Sequence, residues 1–262
     1  MLALYTAASG MAAQELAVQV ISNNIANLGT TGYKRQRAEF QDLLYDHVRQ
    51  VGTQTSNQGN ILPVGIELGT GVKTVGTPRL MTQGNLSSTS NSLDLAIRGD
   101  GFFKILMPDG TFAYSRDGSF NMDSTGRMVT ANGNLVQPGI TIPATASSIT
   151  INQQGQVSVT VPGSSTPSIV GQLTLTRFIN EAGLQAIGDN LLVETPASGP
   201  PQDGNPNENG FGNLQQGNLE QSNVDAVVEM TNLITAQRSY EMNSKVITAT
   251  DQMLQTNNNM HT

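Results

Sequence analysis

The stretch SNNIANLGTTGYKR, from Ser22 to Arg35, ends a segment that otherwise has the pattern of an amphipathic helix. Asn is a poor helix former because its side-chain amide competes for the hydrogen bonds of the backbone. A helix end that only had to face water would use Lys, Glu or Gln instead. We therefore expect the amides of Asn23, Asn24 and Asn27 to have specific partners.

A long helix is predicted to lead into this stretch. Its apolar residues recur every three or four positions, as in a heptad repeat. They are Leu4, Ala7, Met11, Val18, Ile21, Ile25 and Leu28, with the polar Gln14 among them. A helix from about Leu2 to Leu28 would be roughly 40 Å long at 1.5 Å per residue. Gly29 suits the left-handed residue that often follows a helix end.

A second long helix is predicted at the other end of the chain. Ser222 and Asp225 have the spacing of a capping box, with Ser222 as the cap, and no Gly or Pro follows them. Apolar residues then recur every seven positions at Ala226, Leu233, Tyr240, Ile247 and Leu254, reinforced by Met230, Ile234 and Met253. Each helix thus has an apolar stripe that another surface has to cover.

Between the helices the period of the apolar residues changes to two, which is typical of strands. Leu93–Ile97 and Phe102–Leu106 show this period, and Pro108-Asp109-Gly110 is a turn sequence. Further short strands separated by turns predict an all-β domain, a sandwich or a barrel, over residues 92–197. Residues 198–221 begin with many Gly and Pro and are predicted to form a linker.

Residues 36–91 fit neither pattern well. Phe40, Leu43, Leu44 and Val48 are spaced as in a short helix, but Gly, Gln, Thr and Asn dominate after Gly52. This region is predicted to be an extended arm or linker, a feature that compact domains rarely carry without a use. The sequence therefore predicts an α+β chain, with an N-terminal helix in residues 1–35, the arm, the β domain, the linker, and a C-terminal helix in residues 222–262.

The charge of the chain narrows its possible partners. Charged residues make up only 13%, where about 25% is usual, so the chain suits burial of much of its surface against other protein. A formal charge of −7 and the lack of a basic stripe in the sequence argue against nucleic acid as a partner. The one basic cluster, Lys34, Arg35 and Arg37, is interpreted as a solvated loop after the helix.

Two kinds of segment are missing from the sequence. No stretch approaches the ~20 apolar residues that span a bilayer, and the N-terminus lacks the basic and apolar regions of a cleaved secretion signal. The chain also has no Cys, which excludes disulfides and suits passage through oxidising space.

The side chains that catalysis requires are scarce. His47 and His261 are the two histidines, so a histidine metal site or a Ser-His triad is not expected. Gly69–Thr74 lacks the Gly before Lys that a phosphate loop needs, and the Asp-Gly pairs fit hairpin turns better than calcium loops. We expect no catalytic residue, no metal and no cofactor.

Three groups of residues form recognisable motifs, one near each end of the chain and one in its centre. The N-terminal group is Asn23–Leu28 with Thr30, Gly32, Tyr33 and Lys34. The C-terminal group is Leu219–Asp225 with Glu229, Met230, Ala236–Arg238, Tyr240 and Glu241. The central group is Leu93–Phe103 with Tyr114–Phe120. Together these groups resemble sequences shared by bacterial flagellar rod and hook proteins. Within this family, the length of the chain and the arm at residues 45–84 resemble the distal rod members most.

The resemblance implies a fold and a function. Both terminal helices would form a coiled-coil-like inner domain, with the β domain outside, in a subunit that polymerises into a hollow tube, the drive shaft of the flagellum. The implied partners are copies of itself, proximal rod proteins, the hook protein or hook junction, the surrounding ring proteins and the flagellar type III export apparatus. The implied location is the basal body, between periplasm and outer membrane, after export without a cleaved signal.

In such a tube the apolar stripes and the asparagines would contact neighbouring subunits. The expected interface residues are Leu4, Met11, Val18, Ile21, Asn23, Asn24, Ile25, Asn27, Leu28, Ala226, Met230, Leu233, Tyr240, Ile247 and Leu254. One alternative is that the asparagine amides bond locally to the turn at residues 29–32. Alternative functions are a proximal rod or short hook subunit, or a monomeric β-domain protein that binds or hydrolyses carbohydrate, although the chain has no Trp for sugar stacking.

Overall fold

The computed structural model describes residues 2–51, 64–162 and 166–260. It is an α+β structure with a long helix near each end and mostly strands between them. The described parts of Met1–Ile25, Gln36–Pro78 and Asp225–Thr262 form one compact unit, called here the terminal unit. Residues Ala26–Arg35 and the described part of Arg79–Val224 form the other, the β unit.

The terminal unit contains both long helices and two antiparallel ribbons. The helices are α1 (Leu2–Ala26) and α2 (Ala226–Met260). Strand β1 (Glu39–Asp42) pairs with β4 (Val72–Gly76), and β2 (Tyr45–Arg49) pairs with β3 (Ile66–Gly69). The short helix suggested for residues 40–48 is wrong, because these residues are paired with strands that follow them in the chain and strand pairing overrides weak local spacing.

The helix ends differ in detail from the prediction. After α1, the amide of Thr30 donates to the carbonyl of Asn27, and the left-handed backbone occurs at Gly32 rather than at Gly29. The cap of α2 is Asp225, whose Oδ1 accepts hydrogen bonds from the amides of Val227 (2.9 Å) and Val228 (3.2 Å). A carboxylate at this position satisfies free N–H groups and suits the positive end of the helix dipole.

The β unit is built around one large antiparallel sheet. Its strands are β7 (Phe102–Leu106), β8 (Phe112–Ser115), β9 (Asn121–Met122), β10 (Met128–Val129), β11 (Leu135–Gln137), β15 (Leu175–Arg177), β16 (Gln185–Gly188), β17 (Leu191–Val193) and β18 (Gln202–Gly204). Their order in the sheet is β16-β17-β8-β7-β11-β10-β9, with β15 pairing with both β7 and β18. A short 3-10 helix, Glu181–Gly183, precedes β16.

Three smaller sheets complete the unit. Strands β12 (Ser148–Ile151), β13 (Gln156–Thr160) and β14 (Ser168–Gln172) form one of them in that order. Strand β5 (Leu86–Ser88) pairs with β20 (Asn218–Glu220), and β6 (Leu95–Arg98) pairs with β19 (Asn213–Gln216). The strands β18, β19 and β20 therefore lie in residues 198–221, where the sequence suggested a linker. Two of them, β19 and β20, pair with β6 and β5, which precede the strands of the large sheet in the sequence.

The core of the β unit follows the alternating pattern of its strands. Fully buried side chains include Leu95, Ile97, Phe103, Val157 and Leu175. The rings of Phe103 and Phe120 meet edge to face at 4.9 Å, an arrangement that stabilises beyond the area it buries. In the part of the chain that the structure describes, neither long helix is apolar enough to cross a membrane.

Candidate functional site

Asn24 lies at the end of α1 and is almost completely buried. Its Nδ2 donates to the carbonyl of Gln36 (2.8 Å) and to Oε2 of Glu229 (3.1 Å), while its Oδ1 accepts from the amide of Gln36 (2.9 Å). Glu229 is equally buried. Asn24 thus fixes the backbone that returns after α1 and joins α1 to α2, so these bonds lie within one chain rather than between subunits.

The other two asparagines differ from Asn24. Oδ1 of Asn27 accepts a hydrogen bond from the hydroxyl of Thr30 (3.1 Å), which is the local arrangement that the sequence left open. Asn23 is exposed on α1. The three asparagines of the opening stretch therefore have three different environments.

The two helices are antiparallel where they meet. Gly10 of α1 lies against Asn243 of α2, because a Cβ at Gly10 would stand 2.8 Å from Nδ2 of Asn243. The second contact, between Asn24 and Glu229, lies two heptads further along α1 and two heptads back along α2. Ala236, midway between these two contacts on α2, is buried. The helices therefore approach through small and polar side chains.

The large apolar residues of the helices are covered only in part. Of the predicted interface residues, those that are half-buried are Leu4, Met11, Val18, Ile21, Ile25, Asn27, Ala226, Leu233 and Ile247, and those that are exposed are Asn23, Leu28, Met230, Tyr240 and Leu254. Sequence periodicity missed further exposed apolar residues of α2, namely Val227, Val228, Met242, Val246 and Met260. We call the exposed apolar residues of α2 the α2 patch; such a surface is typical of a protein contact.

Within the β unit, a buried ion pair joins two of the sequence groups that carry the family resemblance. Nζ of Lys34 lies 2.6 Å from Oε1 of Glu220, and their side chains are 3% and 0% exposed. Nζ also donates to the carbonyl of Thr82 (2.9 Å), and the amide of Gly84 donates to the same carboxylate oxygen (2.9 Å). The interpretation of Lys34 as part of a solvated loop is wrong, because the carboxylate provides the partner that a buried ammonium needs.

The central group of the resemblance meets the same pair. Arg116, itself buried, donates to the carbonyl of Gly99 (2.8 Å), and its NH1 lies 3.8 Å from Oε2 of Glu220. The amide of Gly32 donates to the carbonyl of Glu220 (2.8 Å). Gly32 has φ of 68°, and a Cβ there would lie 2.7 Å from the amide of Asp117, so only Gly fits. Residues from all three groups thus form one cluster, here called the motif cluster.

Burial sets the electrostatics of the motif cluster. Desolvation lowers the pKa of Lys34 below its usual value, and the charge of Glu220 counteracts this effect. Burial also raises the pKa of Glu181 nearby, against the opposing influence of Arg116. The sequence had one signal for the cluster: charged residues are scarce in this chain, yet Lys34, Arg116 and Glu220 lie inside its three characteristic groups.

The possible metal ligands in the described part of the chain are not clustered. Among them, no three His, Asp or Glu side chains are grouped as ligands of a metal ion. His47 lies on the exposed β2–β3 ribbon, with Nδ1 3.3 Å from Glu67. His261 lies outside the described residues. The features that remain for function are the α2 patch, the motif cluster and the asparagine contact between the helices.

Comparison with known proteins identifies the same three regions of the chain. Residues 4–34 match the family described as flagella basal body rod protein. Residues 96–159 match the flagellar hook protein FlgE/F/G D1 domain, and residues 215–260 match the C-terminal part of flagellar basal body rod FlgEFG proteins.

Rod proteins of other bacteria are similar to this chain over nearly its whole length. The flagellar basal-body rod protein FlgG of Caulobacter vibrioides is 56% identical, with 97% of each chain covered. That of Agrobacterium fabrum is 51% identical, again over 97% of each. The flagellar hook protein FlgE of Helicobacter pylori is 41% identical, but the match covers 51% of this chain and 19% of that protein.

Proposed function

The chain belongs to the flagellar basal-body rod protein family, and from this membership we propose that it polymerises into the distal rod, the drive shaft between motor and hook. Its role is structural, and it is not an enzyme. The observation that carries the proposal is the α2 patch: side chains such as Val227 (74% exposed) and Met242 (58%) are costly to leave in water and suit burial between subunits. Whole-chain similarity to rod proteins, against partial similarity to a hook protein, favours a rod subunit.

The inner domain of the subunit is an antiparallel coiled coil of α1 and α2. Its support is the common register of the Gly10–Asn243 and Asn24–Glu229 contacts, which are two heptads apart on both helices. Residues 1–35 and 222–262 supply this domain, residues 92–197 the outer β domain, and residues 198–221 the connection back. Small residues at the contact leave the larger apolar side chains available for neighbouring copies.

The subunit interface consists of the partly covered residues of both helices. We assign to it the predicted set named above, except that Asn24 holds the two helices of one subunit together. Asn23 is exposed on α1, so a neighbouring subunit can contact it. Burial of Met230, Tyr240 and Leu254, each between 44% and 58% exposed, would supply the apolar centre of the interface.

The arm, residues 36–91, stiffens the polymer. Its two ribbons carry exposed apolar residues, including Val48 (61% exposed) and Val75 (51%), and two-stranded ribbons gain stability from packing against another surface. In the rod these ribbons contact neighbouring subunits and oppose sliding. The further partners are the proximal rod proteins, the hook or hook junction, the surrounding ring proteins and the export apparatus.

Electron microscopy of purified hook–basal bodies tests this function. A strain that lacks the gene should build rods that stop short and carry no hook, and an epitope-tagged copy should be labelled between the proximal rod and the hook. Complete rods in the deletion strain would exclude the distal rod function. Label at the inner end of the rod would assign the subunit to the proximal rod instead.

A further inference from the structure

The glycine-rich turn Gly69–Thr74, which lacks the pattern of a phosphate loop, joins the two ribbons of the arm. Strand β3 ends at Gly69 and β4 begins at Val72, so Gly71 lies where one ribbon passes into the other. Across the hairpin, the amide of Leu43 donates to the carbonyl of Gly71 (2.9 Å). Gly71 has φ of 130°, a conformation that residues with a Cβ rarely adopt. The surroundings of Gly71 explain why Gly is needed here.

Ser9 of α1 lies against this turn. Its hydroxyl donates to the carbonyl of Thr6 (2.8 Å) and accepts a hydrogen bond from the amide of Val72 (3.3 Å). Both bonds can form at once, because a hydroxyl has one donor and two acceptor positions. A Cβ at Gly71 would overlap the hydroxyl of Ser9 and stand 3.2 Å from its Cβ, so only Gly allows this approach. We call the contact of Ser9 with Gly71 and Val72 the arm anchor.

The arm is held to α1 at a second position. Nδ2 and Oδ1 of Asn24 bind the carbonyl and the amide of Gln36, where the arm begins. Ser9 and Asn24 are 15 positions apart, which is about 22 Å along a helix. The side chains of β1 and β4 are mostly exposed, so burial of apolar surface does little to hold this ribbon. Two polar contacts therefore fix the ribbon, and a segment fixed at two separated points cannot turn about either of them.

We propose that Ser9 and Gly71 are positioning residues of the arm. With Asn24 they fix the β1–β4 ribbon to α1 of the same chain, and they thereby set the direction of the β2–β3 ribbon that continues from it. This inference rests on the proposed function of the arm. A ribbon held at one point would turn under load instead of opposing the movement of a neighbouring subunit. Stiffness therefore needs the arm anchor as well as the exposed apolar residues of the ribbons.

Disulfide crosslinking tests the contact itself. The chain has no Cys, so Ser9→Cys/Gly71→Cys supplies a single pair, and the control is Ser9→Cys/Gly76→Cys, because nothing lies within 4 Å of a Cβ at Gly76. The Cβ separation of 3.2 Å is just below the usual range of about 3.5–4.5 Å, so a small shift permits the bond. After treatment with oxidised glutathione, we expect a bond within one chain for the first pair and none for the control, in monomer and polymer. No bond, or a bond only between chains, would overturn the inference.

Amide hydrogen exchange of the purified monomer measures how firmly the ribbon is held. Ser9→Val removes the acceptor of the Val72 amide and places methyl groups where Gly71 lies. Exchange in β1 and β4 should then become about 5- to 30-fold faster. Ser22→Val makes the same change at an exposed position of α1 and should leave exchange in the ribbon at the parental rate. Parental exchange in the Ser9 variant would count against the arm anchor.

Electron microscopy of the polymers relates the arm anchor to stiffness. Gly71→Ala and Ser9→Val should give polymers that bend more than the parental ones, whereas Gly76→Ala, in the same ribbon, and oxidised Ser9→Cys/Gly71→Cys should give straight ones. Polymers of both anchor variants as straight as the parent would overturn the inference. Replacing residues 38–77 by a short Gly turn tests the arm separately, and straight polymers from that variant would instead contradict the proposed function of the arm.

Discussion

Lys34 and Glu220 lie 186 positions apart in the sequence, yet they form a buried ion pair in the β unit. A buried charge is costly to desolvate, so such a pair does little for net stability compared with apolar residues. Removing one member is different, because the other charge then stays buried without compensation. The motif cluster therefore specifies which segments meet, and its members depend on one another.

Glu220→Gln should destabilise the β unit by about 3 kcal/mol, since it leaves the charges of Lys34 and Arg116 without a carboxylate. Urea unfolding of the purified chain, followed by near-ultraviolet circular dichroism, measures this change. The control is Glu194→Gln, an exposed site in the same unit, which should change stability by less than about 0.5 kcal/mol. Equal stability of the two variants would show that the pair is solvated in solution.

Asn24→Ala should lower the free energy of unfolding of the terminal unit by about 1–3 kcal/mol. The reason is that the amide and carbonyl of Gln36 and the carboxylate of Glu229 lose a buried hydrogen-bond partner. The rate of amide hydrogen exchange at the end of α1 and at Gln36 measures this change. Ser22→Ala, at an exposed position of the same helix, is the control and should exchange like the parent. Increased exchange in both variants would mean that the loss of any polar side chain from α1, and not of the buried amide in particular, loosens this region, because Ala by itself favours the helix.

At the scale of elements, α1 and α2 differ from simple amphipathic helices. Heptad spacing predicted an apolar stripe between them, but the described contacts between the helices are Gly10–Asn243 and Asn24–Glu229. Large side chains such as Met242 and Val246 are left exposed. Periodicity finds which residues share a side of a helix, but it does not say whether that side meets the same chain or another.

Met242→Asp should abolish polymerisation without unfolding the monomer. Met242 is 58% exposed, so a carboxylate is tolerated in the free chain but would be buried unpaired between subunits. Sedimentation and electron microscopy of the purified protein under assembly conditions measure the polymer. Met242→Leu keeps the apolar surface and should assemble normally. Normal polymers from the Asp variant would remove Met242 from the interface.

At the scale of the whole molecule, the sequence predicted the α+β organisation, both long helices and the β middle of the chain. Two features of the structure were not predicted from the sequence. The pairing of β5 with β20 and of β6 with β19 joins segments more than a hundred residues apart, and strand partners at such distances leave no local period. The motif cluster was also missed, since a basic residue after a helix is usually solvated. Both omissions concern long-range contacts.

We expect the β unit and the second half of α2 to differ in order in the free subunit. In a dilute monomer, residues 95–106 and 173–178 of the β unit should be protected from hydrogen exchange, because Phe102, Ile105 and Leu175 are fully buried. The second half of α2 should exchange rapidly, since most of its side chains are exposed and a helix without tertiary packing is marginal in water.

Mass spectrometry of the exchanged monomer and of the polymer makes the comparison. Assembly should slow exchange in α2 by burying the α2 patch, while the core strands of the β unit should change little. If α2 is already protected in the monomer, the two helices cover each other's apolar side chains within one chain. The α2 patch would then have no role in assembly. A polymer in which α2 still exchanges rapidly would place the subunit contacts elsewhere.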